Sequence, residues 1–412
     1  MSIAILGYGK EGHSVESYFK KLGETIKIFD NFEEKDIENF HLEDYDLVFR
    51  SPSVRPCGNF SSVTKYFFDH CPCPIIGVTG TKGKGTTCSM ITKILETLGK
   101  KVWLVGNIGL PALDILAQVS PEDVVVYEMS SFQLWDLEKS PHIAVVLRIE
   151  PDHLNVHKDF AEYVDAKSNI TKFQSAADFC IFFKNNEDSV AISEKSKGHK
   201  LSYPIENPSD ILKEIIKSLA VPGAHNQENA EAALLACATS FNLPLNDFVI
   251  KHKDELITAL SSFEGLPHRC QFVRELNGVK YYDDNFSTTL PSLEVALQAF
   301  PNQNKVLILG GRDKSNGENN PLIINLLEHA AGLKSVVLMG ESGHAIFNNF
   351  KSENLHFILV ESLKEAVETA KKEAEKTVNS IVLMSPAAAS FDMFENVYDR
   401  GAKYQKIVKG LH

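Results

Sequence analysis

The run Gly77-Val78-Thr79-Gly80-Thr81-Lys82-Gly83-Lys84-Gly85-Thr86-Thr87 has the residue types that hold phosphate. An apolar stretch, Ile75–Val78, leads into it and a helical pattern over Thr87–Leu98 follows. Backbone N–H groups of such a turn surround phosphate oxygens, and Lys84 adds a point charge. Gly80, Thr81, Lys82, Gly83, Lys84, Gly85, Thr86 and Thr87 are therefore expected to bind a nucleotide's phosphates. The spacing from Gly77 to Lys84 mostly fits a Walker-type loop, but Gly85 stands where Ser or Thr normally offers magnesium a hydroxyl. Thr86 is the expected replacement, with water as the alternative.

Three further places carry chemistry. Glu128 closes the apolar run of VVVYEMSSFQL. A carboxylate at the carboxyl end of a strand points into the crevice where α/β proteins bind ligands, and magnesium takes such oxygens beside phosphates. Glu128 reads as a magnesium ligand, direct or through water, against the plain alternative of a solvated strand end. Ser130, Ser131 and Gln133 can position substrate. His153, in EPDHLN, follows the apolar run Ile143–Leu147, with Asp152 beside it and Lys167 downstream in EYVDAKSNI. A lone histidine is commonly structural, but this placement favours a metal role. Lys167 by itself reads as a solvated helix lysine. Asn226 and Asn229, in GAHNQENAEAA, share a helix face and offer amides to adenine or ribose, or else cap the helix. Arg269, in GLPHRC, can fork onto a phosphate or pair with an interdomain acid.

The elements that must position these residues alternate between strand and helix. Ser2–Leu6 is followed by Gly7, Gly9 and Gly12 as G-x-G-x-x-G, a helical pattern over His13–Leu22, and strands at Thr25–Phe29 and Asp46–Phe49. This is a βαβ nucleotide-type unit. Its glycine turn is compatible with a nicotinamide dinucleotide (Asp30 standing where a ribose-binding acid would), with another nucleotide-bearing ligand, or with a purely structural use. The segment is short for a full dinucleotide domain and ends near the CPCP stretch. Central strands are expected at Lys101–Val105, Asp123–Glu128 and Ile143–Leu147. From Leu266 strands are expected at Val279–Asp283, Lys305–Leu309, Ser335–Met339, Phe357–Val360 and Ser380–Met384. Helices fall between them at Pro291–Ala299, Pro321–Ala330, Ser362–Lys376 and Phe391–Tyr404. The fold class is α/β, with mostly parallel sheets covered by helices.

With 412 residues, 43% of them hydrophobic, the chain can build two to four cores. Its formal charge of −12 speaks against nucleic acid as a partner, which calls for a basic face. The opening MSIAILGYGKEG runs straight into a strand–glycine pattern, and no long apolar run follows. A cytoplasmic protein without integral membrane contact is expected. The seven cysteines, among them Cys71 and Cys73 in a CPC run, lack CxxC spacing and are expected as reduced thiols.

Taken in order, GVTGTKGKGTT, GNIG at Gly106–Gly109, YEMSSFQL, DHLN, GAHNQEN, GLPHR, LGGRDK and SPAAASFDMF resemble the Mur ligase family over nearly the full chain. The stretch Ser385–Gly401 most resembles the D-glutamate-adding branch. The resemblance implies three domains: 1–72 for the UDP substrate, 73–265 as a P-loop ATP-binding domain, and 266–412 for the amino acid. It implies ATP and Mg2+, and conversion of UDP-N-acetylmuramoyl-L-alanine and D-glutamate into amide, ADP and phosphate by a monomer. An acyl phosphate would be attacked by the amine, with no protein nucleophile. Gly9 and Ser51 would meet the UDP part, Asn107 the muramoyl part, and Ser130 and Gln133 further substrate contacts. Lys84, Glu128, His153 and Lys167 would be catalytic. Thr86, Glu128 and His153 would serve the metal together with Lys167, which stands at the family's carbamylated lysine. Arg269 and Asp284 match nucleotide contacts, and Thr288, Lys314, Ser390 and Arg400 match positions in or near the amino-acid site. Two departures stand out: Asp284-Asn285-Phe286-Ser287-Thr288 replaces Asp-Ser-Lys-Ala-Thr, so Phe286 stands for a lysine, and Val397 stands for an aromatic residue. The other readings are a related Mur-type ligase adding a different amino acid and a P-loop NTPase used as a binding module.

Overall fold

The computed structural model describes residues 1–313, 317–352 and 355–412. Its strands form three sheets. The first holds β1 (Ser2–Leu6), β2 (Thr25–Phe29) and β3 (Leu47–Arg50), in the order β2-β1-β3, all parallel. The second holds β4 (Ile75–Thr79), β5 (Val102–Gly106), β6 (Val124–Glu128), β7 (Ile143–Val146), β8 (Phe179–Phe183) and β9 (His199–Tyr203). Its order is β5-β6-β4-β7-β8-β9, again all parallel. The chain therefore goes to one side after β4 and returns to fill the other from β7. The carboxyl end of β4 is thus a topological switch point, the place where open α/β sheets bind ligands.

The third sheet holds β10 (Gln271–Leu276), β11 (Val279–Asp283), β12 (Asn304–Gly310), β13 (Leu333–Met339), β14 (His356–Leu359) and β15 (Ser380–Met384). The order is β10-β11-β15-β12-β13-β14, with β10 antiparallel to β11 and the other pairs parallel.

The chain divides into two compact units. One comprises 1–219 with 227–262, the other 220–226 with 263–412. In the first, Ile3, Phe19 and Phe67 join Val125, Tyr127 and Ala144 in one apolar cluster, so two sheets share a core. In the second, Leu307, Leu309 and Leu383 face one helical layer while Val306, Ile308 and Val382 face another. Adjacent residues of a strand point to opposite faces, and both faces are covered.

Most expected strands are present, with differences that have physical causes. β9, HKLSY, is an edge strand whose residues are largely exposed, so it lacks the apolar run that marks a buried strand. The last helix spans Val397–Lys409 rather than Phe391–Tyr404, because Asn396 caps it, its Oδ1 accepting from Tyr398 N and Asp399 N at 3.0 Å each. Among the described residues no single helix is long and apolar enough to cross a membrane.

Candidate active site

The phosphate loop joins β4 to the helix Lys84–Thr97, three residues earlier than the apolar pattern indicates. Gly85 and Thr86 thus lie in the first turn, where backbone N–H groups have no intrahelical acceptor, whereas Thr87 N donates to Gly83 O at 2.9 Å. Gly83 has φ +85, and a Cβ on it would come 2.7 Å from Asn229 Oδ1. Glycine is required there by both backbone and space. Thr81 ties the loop to the segment after β7. Its N–H donates to Arg148 O at 2.9 Å, and its hydroxyl lies 2.9 Å from Glu150 O and from the Tyr163 hydroxyl. Lys84 Nζ donates to Gly80 O and Thr81 O at 3.0 Å each, while Lys82 is exposed.

Glu128 pairs with Val78 across β6 and β4, so its buried carboxylate stands at the switch point. Asn107 Nδ2 lies 3.3 Å from Glu128 Oε1. Lys167 is not the solvated lysine that its helical position suggests. On the helix Phe160–Lys172 it is only 2% exposed, and it donates to Gly80 O at 3.0 Å and to Thr79 Oγ1 at 3.4 Å. Burial and then the Lys84 charge push the Lys167 amine well below the ordinary lysine range, against the opposing pull of Asp152 and Glu128. His153 is about half exposed, has φ +54, and its Nε2 lies 3.6 Å from Asp152 Oδ2.

The described residues contain no cluster of three or more His, Cys, Asp or Glu side chains placed to hold a metal. Magnesium keeps several waters and takes one or two carboxylates beside substrate phosphates, so Glu128 at the loop is a fitting donor without such a cluster. Thr86 is half-buried in the first helical turn.

The neighbouring contacts are largely committed to protein partners. Ser130 and Gln133 form a capping box for the short helix Ser131–Leu134, and Gln133 Nε2 donates to Glu11 Oε1 at 2.8 Å. In the first sheet, Ser51 N donates to Leu6 O at 2.8 Å, and its Cβ and Oγ lie 2.9 Å from where a Cβ on Gly7 would be. Gly9 is the residue before the helix Lys10–Lys21, with open space around it. Asn226 donates to Pro222 O at 2.6 Å, and Asn229 is buried on the same helix, Ala224–Ser240.

In the second unit, β11 and β15 are adjacent and their carboxyl ends lie together. Asp284 accepts from Ser385 Oγ at 2.8 Å and Cys270 N at 3.1 Å, and burial raises its carboxyl to about 6. Arg269 lies over the Phe286 ring at 5.2 Å, a cation–π contact. Thr288 is half-buried and Ser390 buried. Arg400 is fully buried. Its five N–H groups meet Asn285 Oδ1, Asn285 O, Ala388 O (twice) and Ala389 O at 2.8–3.3 Å. No donor remains for a substrate, so Arg400 holds the loop after β15 rather than facing an amino acid. Lys314 lies outside the described residues.

Two family descriptions match the chain: the Mur ligase middle domain over residues 78–237 and the Mur ligase glutamate ligase domain over 268–388. The chain is 33% identical to UDP-N-acetylmuramoylalanine--D-glutamate ligase of Clostridium kluyveri over 99% of its own length and 96% of the relative's. The chain belongs to the Mur ligase family. The same named ligase of Acetivibrio thermocellus is 32% identical over 99% of this Mur ligase and 96% of the relative. Among solved structures, the UDP-N-acetylmuramate-alanine ligase of Thermotoga maritima has a TM-score of 0.58 at 19% identity, covering 99% of both chains. A MurF ligase from the same organism, in complex with ADP, has a TM-score of 0.59 at 16% identity, covering 99% of this chain and 95% of that one.

One arrangement in this Mur ligase is not visible as a motif. His268 Nδ1 lies 2.7 Å from the buried Asp283 Oδ2, and Asp283 Oδ1 accepts from Asn285 Nδ2 at 2.6 Å, which leads to Arg400. Gly401 makes room for it, since a Cβ there would come 2.3 Å from His268 Nδ1. The only trace in the sequence is the acidic pair Asp283-Asp284 at the end of an apolar strand.

Proposed function

We propose that this Mur ligase joins D-glutamate to UDP-N-acetylmuramoyl-L-alanine, consuming ATP and releasing ADP and phosphate. The observation that carries the reaction type is the meeting of Lys84, Glu128 and the buried amine of Lys167 around the carboxyl end of β4. The amino acid is inferred from the full-length likeness to ligases named for D-glutamate.

In this reading the substrate carboxylate attacks the γ-phosphate of ATP while the loop N–H groups and Lys84 offset the charge on the transferring group. The acyl phosphate is then attacked by the amine, and collapse of the tetrahedral adduct expels phosphate. The protein aligns two anions that repel one another and keeps water from the acyl phosphate. Magnesium, when bound, supplies further charge compensation for the phosphates; Glu128, His153 and Thr86 would hold it, with a carbamate on Lys167 adding an oxygen donor. Asn226, Asn229, Arg269 and Asp284 would contact the nucleotide, Gly9, Ser51, Asn107, Ser130 and Gln133 the UDP substrate, and Thr288, Lys314 and Ser390 the amino acid. The work divides among domains 1–72, 73–265 and 266–412. Supplying D- and L-amino acids with UDP-N-acetylmuramoyl-L-alanine and ATP, and weighing the products, tests this. D-glutamate should give the amide and one phosphate; a different amino acid used in its place would point to a different Mur-type ligase.

A further inference from the structure

The CPC run lies outside the residues assigned to ligation, and its geometry is specific. Cys71 ends the helix Val63–His70, and Cys73 lies two residues before β4. The two Sγ atoms are 3.8 Å apart, and Cys71 Sγ is 3.6 Å from Cys73 O. Cys73 is 7% exposed whereas Cys71 is half-buried, so solvent reaches one thiol and the fold shelters the other. Cys88, Cys180, Cys237 and Cys270 are all buried and none is in contact with another thiol, while Cys57 is half-buried and packs near Phe60.

We propose that Cys71 and Cys73 form a two-thiol modification site that hydroperoxides convert to an intramolecular disulfide. Cys71 is the attacking thiol. Its thiolate takes the terminal oxygen of the peroxide, breaking the O–O bond, giving a sulfenic acid and releasing hydroxide or alkoxide. The Cys73 sulfur then attacks the Cys71 sulfur, and the sulfenic oxygen leaves as water with the Cys73 proton. The peroxide is reduced by two electrons and the thiol pair oxidised by two. The partition of roles follows from exposure: Cys71 is open to a peroxide from solvent, while Cys73 is buried behind it, and burial disfavours a thiolate there. The sulfurs are already in contact, and the disulfide brings them to about 2.05 Å.

The test is oxidation of the full chain by stoichiometric hydrogen peroxide, with dimedone present and peptides read by mass. Wild type is expected to lose two hydrogens within the peptide carrying residues 71–73, with no dimedone adduct, and to regain them with a dithiol reductant. Cys73→Ser should instead carry dimedone on Cys71, because the resolving thiol is gone, and Cys71→Ser should remain unoxidised at Cys73. Ligation by either unoxidised variant should match wild type. Oxidation of Cys57 ahead of Cys71, a disulfide between chains, or absence of the adduct in Cys73→Ser would each overturn the proposal.

Discussion

Lys84 and Lys167 donate to the same atom: each Nζ lies 3.0 Å from the carbonyl oxygen of Gly80. Two full ammonium charges at one acceptor would repel, and Lys167 is the more deeply buried, so its amine is the one pushed well below the ordinary lysine range. The lysine of the phosphate loop thus adds to burial in lowering the proton affinity of the Lys167 amine.

A depressed lysine has a signed effect on stability. The folded chain holds the Lys167 proton less tightly than the unfolded chain, whose value is the ordinary 10.5. The unfolded state therefore binds more protons, and this group's contribution rises with pH until 10.5 is passed. Lys167→Met should flatten the rise of unfolding free energy with pH on the alkaline side. It should also remove the labelled carbamate carbon signal that wild type shows under 13C-enriched bicarbonate. A signal that survives the substitution would place the carbamate elsewhere.

Lys84→Ala should lower ligation by about a hundredfold or more, the scale of losing a preorganised charge at a developing anion. The urea midpoint should change little, since Lys84 is half-buried and its bonds in the loop are to backbone carbonyls. Activity within a few-fold of wild type would remove Lys84 from phosphoryl transfer.

Asp284 gives the opposite sign. Burial raises its carboxyl from 3.8 to about 6, so the folded state binds the proton more tightly and stability from this group falls as pH rises between those values. The rise from 3.8 to about 6 corresponds to about 3 kcal/mol. Asp284→Asn should abolish that fall in urea titrations across the interval, keeping an acceptor for Cys270 N. An unchanged profile would show that the raised value has another owner.

Gly401 lies in the helix Val397–Lys409, where alanine would gain about 1 kcal/mol of helix propensity. The 2.3 Å approach of its Cβ to His268 Nδ1 opposes this, and overpacking costs about 1–3 kcal/mol. Gly401→Ala should therefore be destabilised and lose the His268–Asp283 bond, seen as a changed imidazole NMR shift. Arg400→Lys, with three donors for five acceptor contacts, should cost roughly 2–4 kcal/mol of stability. It should not act by a selective rise in the KM for amino acid.

Much of this was legible in the residues because the chemistry is local. The glycines, Lys84 and Glu128 stand at the ends of apolar strands, and the parallel topology brings those ends together. The burial of Lys167 was not legible. Its helix buries Ala166, Lys167, Ser168, Asn169, Ile170 and Thr171 in succession, so polar and apolar side chains are buried alike and residue type does not mark the buried positions. Nor could spacing reveal the support around Asp283, since Asn285 and Arg400 are 115 residues apart. Arg400 looked like a substrate contact because charged residues in a recognised motif suggest ligands, whereas its donors close a loop.

The most direct measurement follows the oxygen. UDP-N-acetylmuramoyl-L-alanine labelled with 18O in its carboxylate is turned over with ATP and D-glutamate, and the released phosphate is weighed. Passage through an acyl phosphate predicts one labelled oxygen in each phosphate formed with amide. Amide accompanied by unlabelled phosphate would contradict the account.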